Sequence, residues 1–286
     1  MFALVLGQLI NGVIIGTLYG IVALGATLTF GITGIVNFAL GSFMAIGAYV
    51  AWYATDTIGI PYPAAVLLAV GTTAVIGFAT DRSLFTFTRN NLINGLIVPI
   101  GLISVVQSVL LLLWTATPKS MHNVLPGVFD LGWIVVPRMK AAMFAILLAV
   151  ILATYAALTR TWAGRAAYAY AQAPEAATLM GINTTRLQTA VVVYSIALAG
   201  LAGALHASLY SLEASMGGSY ILKGIEAAIL AGIGSVMGSL VGGLILGITE
   251  AIGSIFLPAA YRDVYGLVFL VMILLFRPNG LFSVQR

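Results

Sequence analysis

The chain has 286 residues, of which 61% are apolar and only 7% charged, with a mean hydropathy of +1.10 and a formal net charge of +4. Soluble domains carry about 25% charged residues, so 12 basic and 8 acidic side chains cannot cover a water-facing surface, and lipid must be the solvent. The absence of cysteine excludes disulfide frameworks, cysteine-ligated metal centres and thiol nucleophiles, while basic residues scattered in ones and twos exclude a nucleic-acid patch.

Met1 to Gln8 holds no Lys or Arg, and the apolar stretch that follows runs on to Phe30. That is too long for the apolar core of a signal peptide, so it reads as a retained first helix. A bilayer core of about 30 Å takes roughly 20 apolar residues per helix, and unpaired backbone groups are not tolerated there. Further apolar blocks follow at 32–54, 62–80, 92–114, 140–159, 189–210, 224–257 and 263–277, giving eight with the first at 8–30. The expected fold is therefore all-α: one transmembrane domain over 1–286, a polytopic helical bundle of about eight spans.

The first block carries Gly12, Gly16 and Gly20 at four-residue intervals, and the seventh carries Gly234, Gly238 and Gly242, joined by Gly243 and Gly247. Such spacing clears one helix face for close backbone approach, the main route to helix association in lipid. The seventh block is too long for one straight span. It reads as a glycine-broken re-entrant segment near 224–242 followed by a helix, or as two short helices.

Orientation follows from Lys and Arg in the loops. Placing 81–91, 160–188 and the C-terminus in the cytoplasm puts Arg82, Arg89, Arg160, Arg165, Arg186, Arg277 and Arg286 inside, against Lys119, Arg138, Lys140, Lys223 and Arg262 outside. The N-terminus then lies outside if 8–30 and 32–54 each cross once, and 224–257 begins and ends on the outer side. Trp52, Tyr53, Tyr62, Trp114 and Trp162 fall near the span ends, where interfacial aromatics belong.

Among polar residues within spans, Glu250 is expected either to hydrogen-bond a neighbouring helix or to act as a gate. Glu226 follows Lys223 at i,i+3 and reads as its ion-pair partner. Neither acid has a second titratable partner at helical spacing to form a proton relay. His122 and His206 lie far apart and lack neighbouring Asp or Glu, so they read as solvated or interfacial rather than as metal ligands. Asn11, Asn37, Ser42, Asn94, Ser104, Gln107 and Ser208 supply neutral polar groups, as glue between helices or as pathway lining. Asn11, Asn37, Ser42 and Glu250 are the candidates for pathway or gate.

The stretch Thr159 to Gln188 is polar yet rich in helical signals. Pro174 suits a first helical turn, Glu175 complements the helix N-terminus, and Gly181 suits the position just past its end. Asn183 or Thr184 can cap the next span, which leaves a stub of one or two helical turns held between two membrane helices.

These residues carry a resemblance. Gly164-Arg165-Ala166, Ala171-Gln172, Glu175-Ala176-Ala177 and Met180-Gly181-Ile182-Asn183 resemble the cytoplasmic loop of the integral-membrane permeases of branched-chain amino acid ABC importers. Similar matches run along nearly the whole chain: Gln8-Leu9-Ile10-Asn11-Gly12, Ala23-Leu24-Gly25, Gly34-Ile35-Val36-Asn37-Phe38-Ala39, Gly47-Ala48-Tyr49 and Phe276-Arg277-Pro278-Asn279-Gly280-Leu281-Phe282. Leu40, Tyr168 and Ala173-Pro174 depart from the family pattern, which has His at the first, Arg at the second and a polar pair at the third.

The resemblance implies that residues 160–188 form a coupling loop docking on an ATPase through Gly164, Arg165, Gln172, Glu175, Ala176, Ala177, Met180, Gly181 and Ile182. It also implies two cytoplasmic ATPase subunits holding ATP-Mg, a second homologous permease, an external solute-binding protein and a bacterial-type inner membrane. The chain itself has no G-x-x-x-x-G-K-[ST] phosphate loop, so the expectation is a transport subunit with no cofactor or ATPase site of its own. The expected cargo is a branched-chain amino acid. Alternatives are a permease for urea, short amides or other small organic solutes, and a proton-coupled secondary transporter using Glu250.

Overall fold

The computed structural model describes residues 2–34, 37–87, 92–121, 124–130, 135–232, 234–256, 261–278 and 280–282. Helices dominate, because in an apolar solvent each backbone N–H must find its carbonyl within the same segment. They run α1 Phe2–Thr33, α2 Leu40–Trp52, α3 Tyr62–Ser83, α4 Leu92–Trp114, α5 Arg138–Arg160, α6 Trp162–Gln172, α7 Pro174–Leu179, α8 Thr184–Ala207, α9 Met216–Ala231, α10 Val236–Phe256 and α11 Arg262–Phe276. A five-residue π-helical turn, Tyr53–Thr57, continues α2.

Six helices among the described residues are long and apolar enough to cross a membrane: α1, α3, α4, α5, α8 and α10. The expected count of eight is not reached on that criterion, since α2, α9 and α11 have 13, 16 and 15 residues. The all-α expectation also misses a small antiparallel pair, β1 Val128–Asp130 with β2 Val135–Pro137, in register Phe129 opposite Val136. The long block at 224–257 resolves into two helices, α9 and α10, turned by Gly232 and Gly234, both at positive φ.

α1 is the central post. In its apolar stretch 78% of residues are buried, against 17% in α4 and 22% in α3 and α5, whose outward faces carry large exposed apolar residues such as Leu67 and Leu112. α10 packs antiparallel along α1 through the glycines. A Cβ on Gly12 would fall 2.9 Å from the Gly247 carbonyl oxygen, one on Gly16 2.8 Å from that of Gly243, and one on Gly20 3.3 Å from Leu240 Cα. Gly242 instead faces Ala227 of α9, and Gly238 faces Ser235 and Ala231. Gly234 has open space around it and serves the turn. A second glycine seam joins α2, α8 and α9, with Gly47 against Gly200 and Gly41 against Gly217.

Contacts sort the helix ends. Asp81 meets Thr189 and Tyr62 meets Ala204, so α3 and α8 are antiparallel. Lys140 reaches Asn11, which sets the start of α5 beside the start of α1. The backbone N–H groups of Leu281 and Phe282 donate to the carbonyls of Leu230 and Ala231, tying the C-terminal segment to the α9–α10 turn. Arg82, Arg160, Arg165, Arg186 and Arg277 therefore share one end of the bundle. At the other, Lys119 and Leu212 exchange backbone hydrogen bonds of 3.0 and 2.7 Å, and Trp114 stacks on Tyr49 with centroids 5.3 Å apart.

Candidate functional site

The arginine-bearing end carries α6 and α7 between α5 and α8. Thr161 opens α6 by accepting a 3.2 Å hydrogen bond from the Gly164 N–H. Gly164 is required there, because a Cβ would collide with the backbone of Leu158. Pro174 begins α7, and the chain leaves it through Gly181 at φ +84°. The N–H groups of Gly181 and Ile182 donate to the carbonyls of Thr178 and Ala177, closing the helix end in a glycine-terminated motif. Asn183 caps α8, its Oδ1 accepting 3.0 Å from the Arg186 N–H, and Gln188 Nε2 donates 2.7 Å to the Tyr170 hydroxyl, fastening α6 to α8.

Within this short unit Ala177 is buried and Ile182 half-buried, while Arg165, Gln172, Glu175, Ala176, Met180 and Gly181 are exposed. Leu179 and Met180 are 89% and 84% exposed. Two large apolar side chains thus stand bare on a capped polar connector. Leu179 escaped the sequence reading because it looks like an ordinary helical leucine until its face is known.

The second polar assembly lies within the bundle. Lys223 of α9 is 5% exposed, with Nζ 2.8 Å from Glu250 Oε1, 3.4 Å from Glu226 Oε2 and 3.2 Å from Asp263 Oδ1. Glu250 has no exposed surface, and its Oε2 accepts a 2.9 Å hydrogen bond from the Tyr19 hydroxyl of α1. Gly266 of α11 leaves the room, since a Cβ there would lie 3.2 Å from both Lys223 Nζ and Glu250 Oε1. The expected Lys223–Glu226 pair is present, but Lys223 is a buried helical residue and not the outer-loop cation counted for orientation. The partner of Glu250 comes from a neighbouring helix, which spacing along one helix cannot reveal.

The remaining pathway candidates are dispersed. Asn11 accepts from Lys140 Nζ at 2.8 Å. Asn37, 4% exposed, accepts from the Ala39 N–H at 3.0 Å and so launches α2. Ser42 is buried at the seam where Gly41 meets Gly217. His206 is 3% exposed, with Nε2 2.8 Å from the Tyr220 hydroxyl and its ring stacked on Tyr210; of the solvated or interfacial placements expected, the solvated one is corrected, because α8 turns that face inward. His122 lies outside the described residues. Among the described residues no three His, Cys, Asp or Glu side chains cluster as metal ligands.

These features define a polytopic helical membrane protein with a glycine-packed centre and a rigid polar connector at one end. The family model described as the permease component of the branched-chain amino acid transport system matches residues 8–276. The chain is 31% identical to the high-affinity branched-chain amino acid transport system permease protein BraD of Pseudomonas aeruginosa, over 96% of this chain and 95% of that protein. It is 32% identical to LivH of Escherichia coli K12 over 98% and 96%, and 28% identical to a probable LivH of Methanocaldococcus jannaschii over 96% and 91%. The fold resembles a chain in the solved structure of PsaBC from Streptococcus pneumoniae in complex with Fab, with a TM-score of 0.50 and 13% identity over 92% of this chain and 90% of that one. This chain belongs to the branched-chain amino acid transport permease family.

Proposed function

We propose that the protein is the membrane-spanning subunit of an ABC importer and carries branched-chain amino acids across the cytoplasmic membrane by alternating access. Separate ATPase subunits holding ATP-Mg supply the drive, an external solute-binding protein delivers cargo, and a second, homologous permease completes the pathway. The observation that carries this reading is the capped α7 with Leu179 and Met180 bare at its tip.

On this reading the arginine-bearing end faces the cytoplasm, as the positive-inside bias favours, and α7 seats in a cleft on the ATPase. Closure of the ATPase pair moves α7, and the Gln188–Tyr170 bond and the Asn183 cap pass the motion to α8. α8 packs on α2 and α3, so the shift reaches the bundle interior. The names of the relatives do not favour the urea or amide alternative, and the Lys223–Glu250 pair argues against Glu250 as a mobile proton carrier, since Lys223 Nζ lies only 2.8 Å from its carboxylate.

The test is reconstitution of the full assembly with its binding protein and measurement of ATP-dependent leucine uptake. Leu179→Glu with Met180→Glu should insert normally yet lose ATPase association and uptake. Undiminished uptake by that variant, or uptake by the chain alone under a pH gradient, overturns the proposal.

A further inference from the structure

Between α3 and α8, at the end that carries α6 and α7, lies a groove of about 1000 Å³. Its long walls are apolar, with Ala74 and Phe78 on one side and Ala190, Val193 and Ala197 on the other. Both helices are long and apolar enough to cross a bilayer, and the trough between them opens on the outer surface of the chain.

The mouth has the opposite character. Arg82 and Arg186 both line it and both are exposed, the Arg82 guanidinium lying 5.5 Å from the Phe78 ring centroid. Asn183 and Thr185 bring the first turn of the 24-residue α8 to the same opening, adding the positive end of a long helix to the two guanidinium charges. The acid present, Asp81, is 1% exposed and its Oδ2 accepts a 2.6 Å hydrogen bond from Thr189, so its charge is drawn into the α3–α8 seam. The accessible charge at the mouth is positive.

A basic mouth above an apolar trough matches an anion that carries a hydrocarbon tail. A water-soluble anion would use the arginines and leave the trough idle, and a zwitterionic lipid would fill the trough with no net charge to answer the arginines. Basic pockets between membrane helices near the cytoplasmic surface take anionic head groups. We propose that this groove binds an anionic phospholipid, its phosphate held by Arg82 and Arg186 and an acyl chain lying along Ala190, Val193 and Phe78. The lipid would then touch the first turns of α8, the helix that continues from α7.

The test uses the full-length chain, purified and stripped of lipid, then titrated with phosphatidylglycerol, with phosphatidylcholine of the same acyl chains, or with glycerol phosphate, and read by native mass spectrometry. Phosphatidylglycerol should bind about ten-fold or more tightly than phosphatidylcholine, and glycerol phosphate should not displace it. Arg82→Gln with Arg186→Gln should bring the two lipids to parity, while Ala190→Trp, which obstructs the trough and spares the arginines, should weaken both. Parity in the wild-type protein, or displacement by glycerol phosphate, overturns the proposal.

A further arm uses the absence of native cysteine. In the assembled transporter, efficient cross-linking of Ala190→Cys to the companion permease would assign the groove to a subunit interface and also overturn the proposal. None of these readouts depends on uptake, so failure here is distinct from failure of the transport reading.

Discussion

Lys223 of α9 and Glu250 of α10 face each other with Nζ 2.8 Å from Oε1, in a place where Glu250 has no exposed surface. Removing Lys223 strands Glu250, and breaking a buried pair in this way costs about 3–5 kcal/mol, whereas without Glu250 the lysine keeps Glu226 and Asp263. Lys223→Met should lower the thermal unfolding midpoint of the solubilised protein sharply, and Glu250→Leu should lower it less. The double variant should lose less than the sum of the two, because Glu250 no longer remains as an unmatched, fully buried charge. Additive losses would show that the pair is not coupled.

The α1–α10 seam predicts a size threshold. Gly16→Leu or Gly243→Leu must separate two backbones in contact and should abolish recovery of folded protein. Gly31→Ala, in the same α1 but with nothing near its added Cβ, should be neutral or stabilising by up to about 1 kcal/mol. Detergent-solubilised yield and unfolding midpoint of the three variants check this.

Gly181 sits at φ +84° with open space around its Cβ, so its requirement is conformational and not steric. Gly181→Val should cost about 1–2 kcal/mol locally and loosen α7, while Gly181→Asn should be tolerated. Proteolytic sensitivity of the 172–183 segment should rise for Val and stay near wild type for Asn.

The Asn183 cap predicts a milder effect. Asn183→Ala should destabilise the start of α8 by about 1 kcal/mol, and Asn183→Asp should preserve the cap. Hydrogen exchange at the Arg186 N–H reports on it directly, with faster exchange expected in the alanine variant alone.

Much of this architecture is legible in the chain because lipid imposes simple rules. Apolar length locates the six long spans, and Pro174, Gly181 and Asn183 locate α7 and the start of α8, since each of those residues has a local reason to stand where it does. The less legible parts depend on contacts between distant segments. Lys223 reads as a loop cation until α10 brings Glu250 beside it, and His206 reads as interfacial until α8 turns it toward Tyr220. The apolar block at 32–54 yields an α2 of only 13 residues, and α9 has only 16, because a helix embedded among others need not cover the whole bilayer. Gly41 and Gly217 fall in no periodic series, so only the meeting of their backbones marks them.

The reciprocal backbone bonds between Lys119 and Leu212 have a mechanical corollary. They stitch the α4–α5 connection to the α8–α9 connection at the end remote from α7, leaving that rim less free to splay. A push delivered to α7, as the proposed coupling requires, would act on a bundle anchored at its far rim, as an oar works against its rowlock.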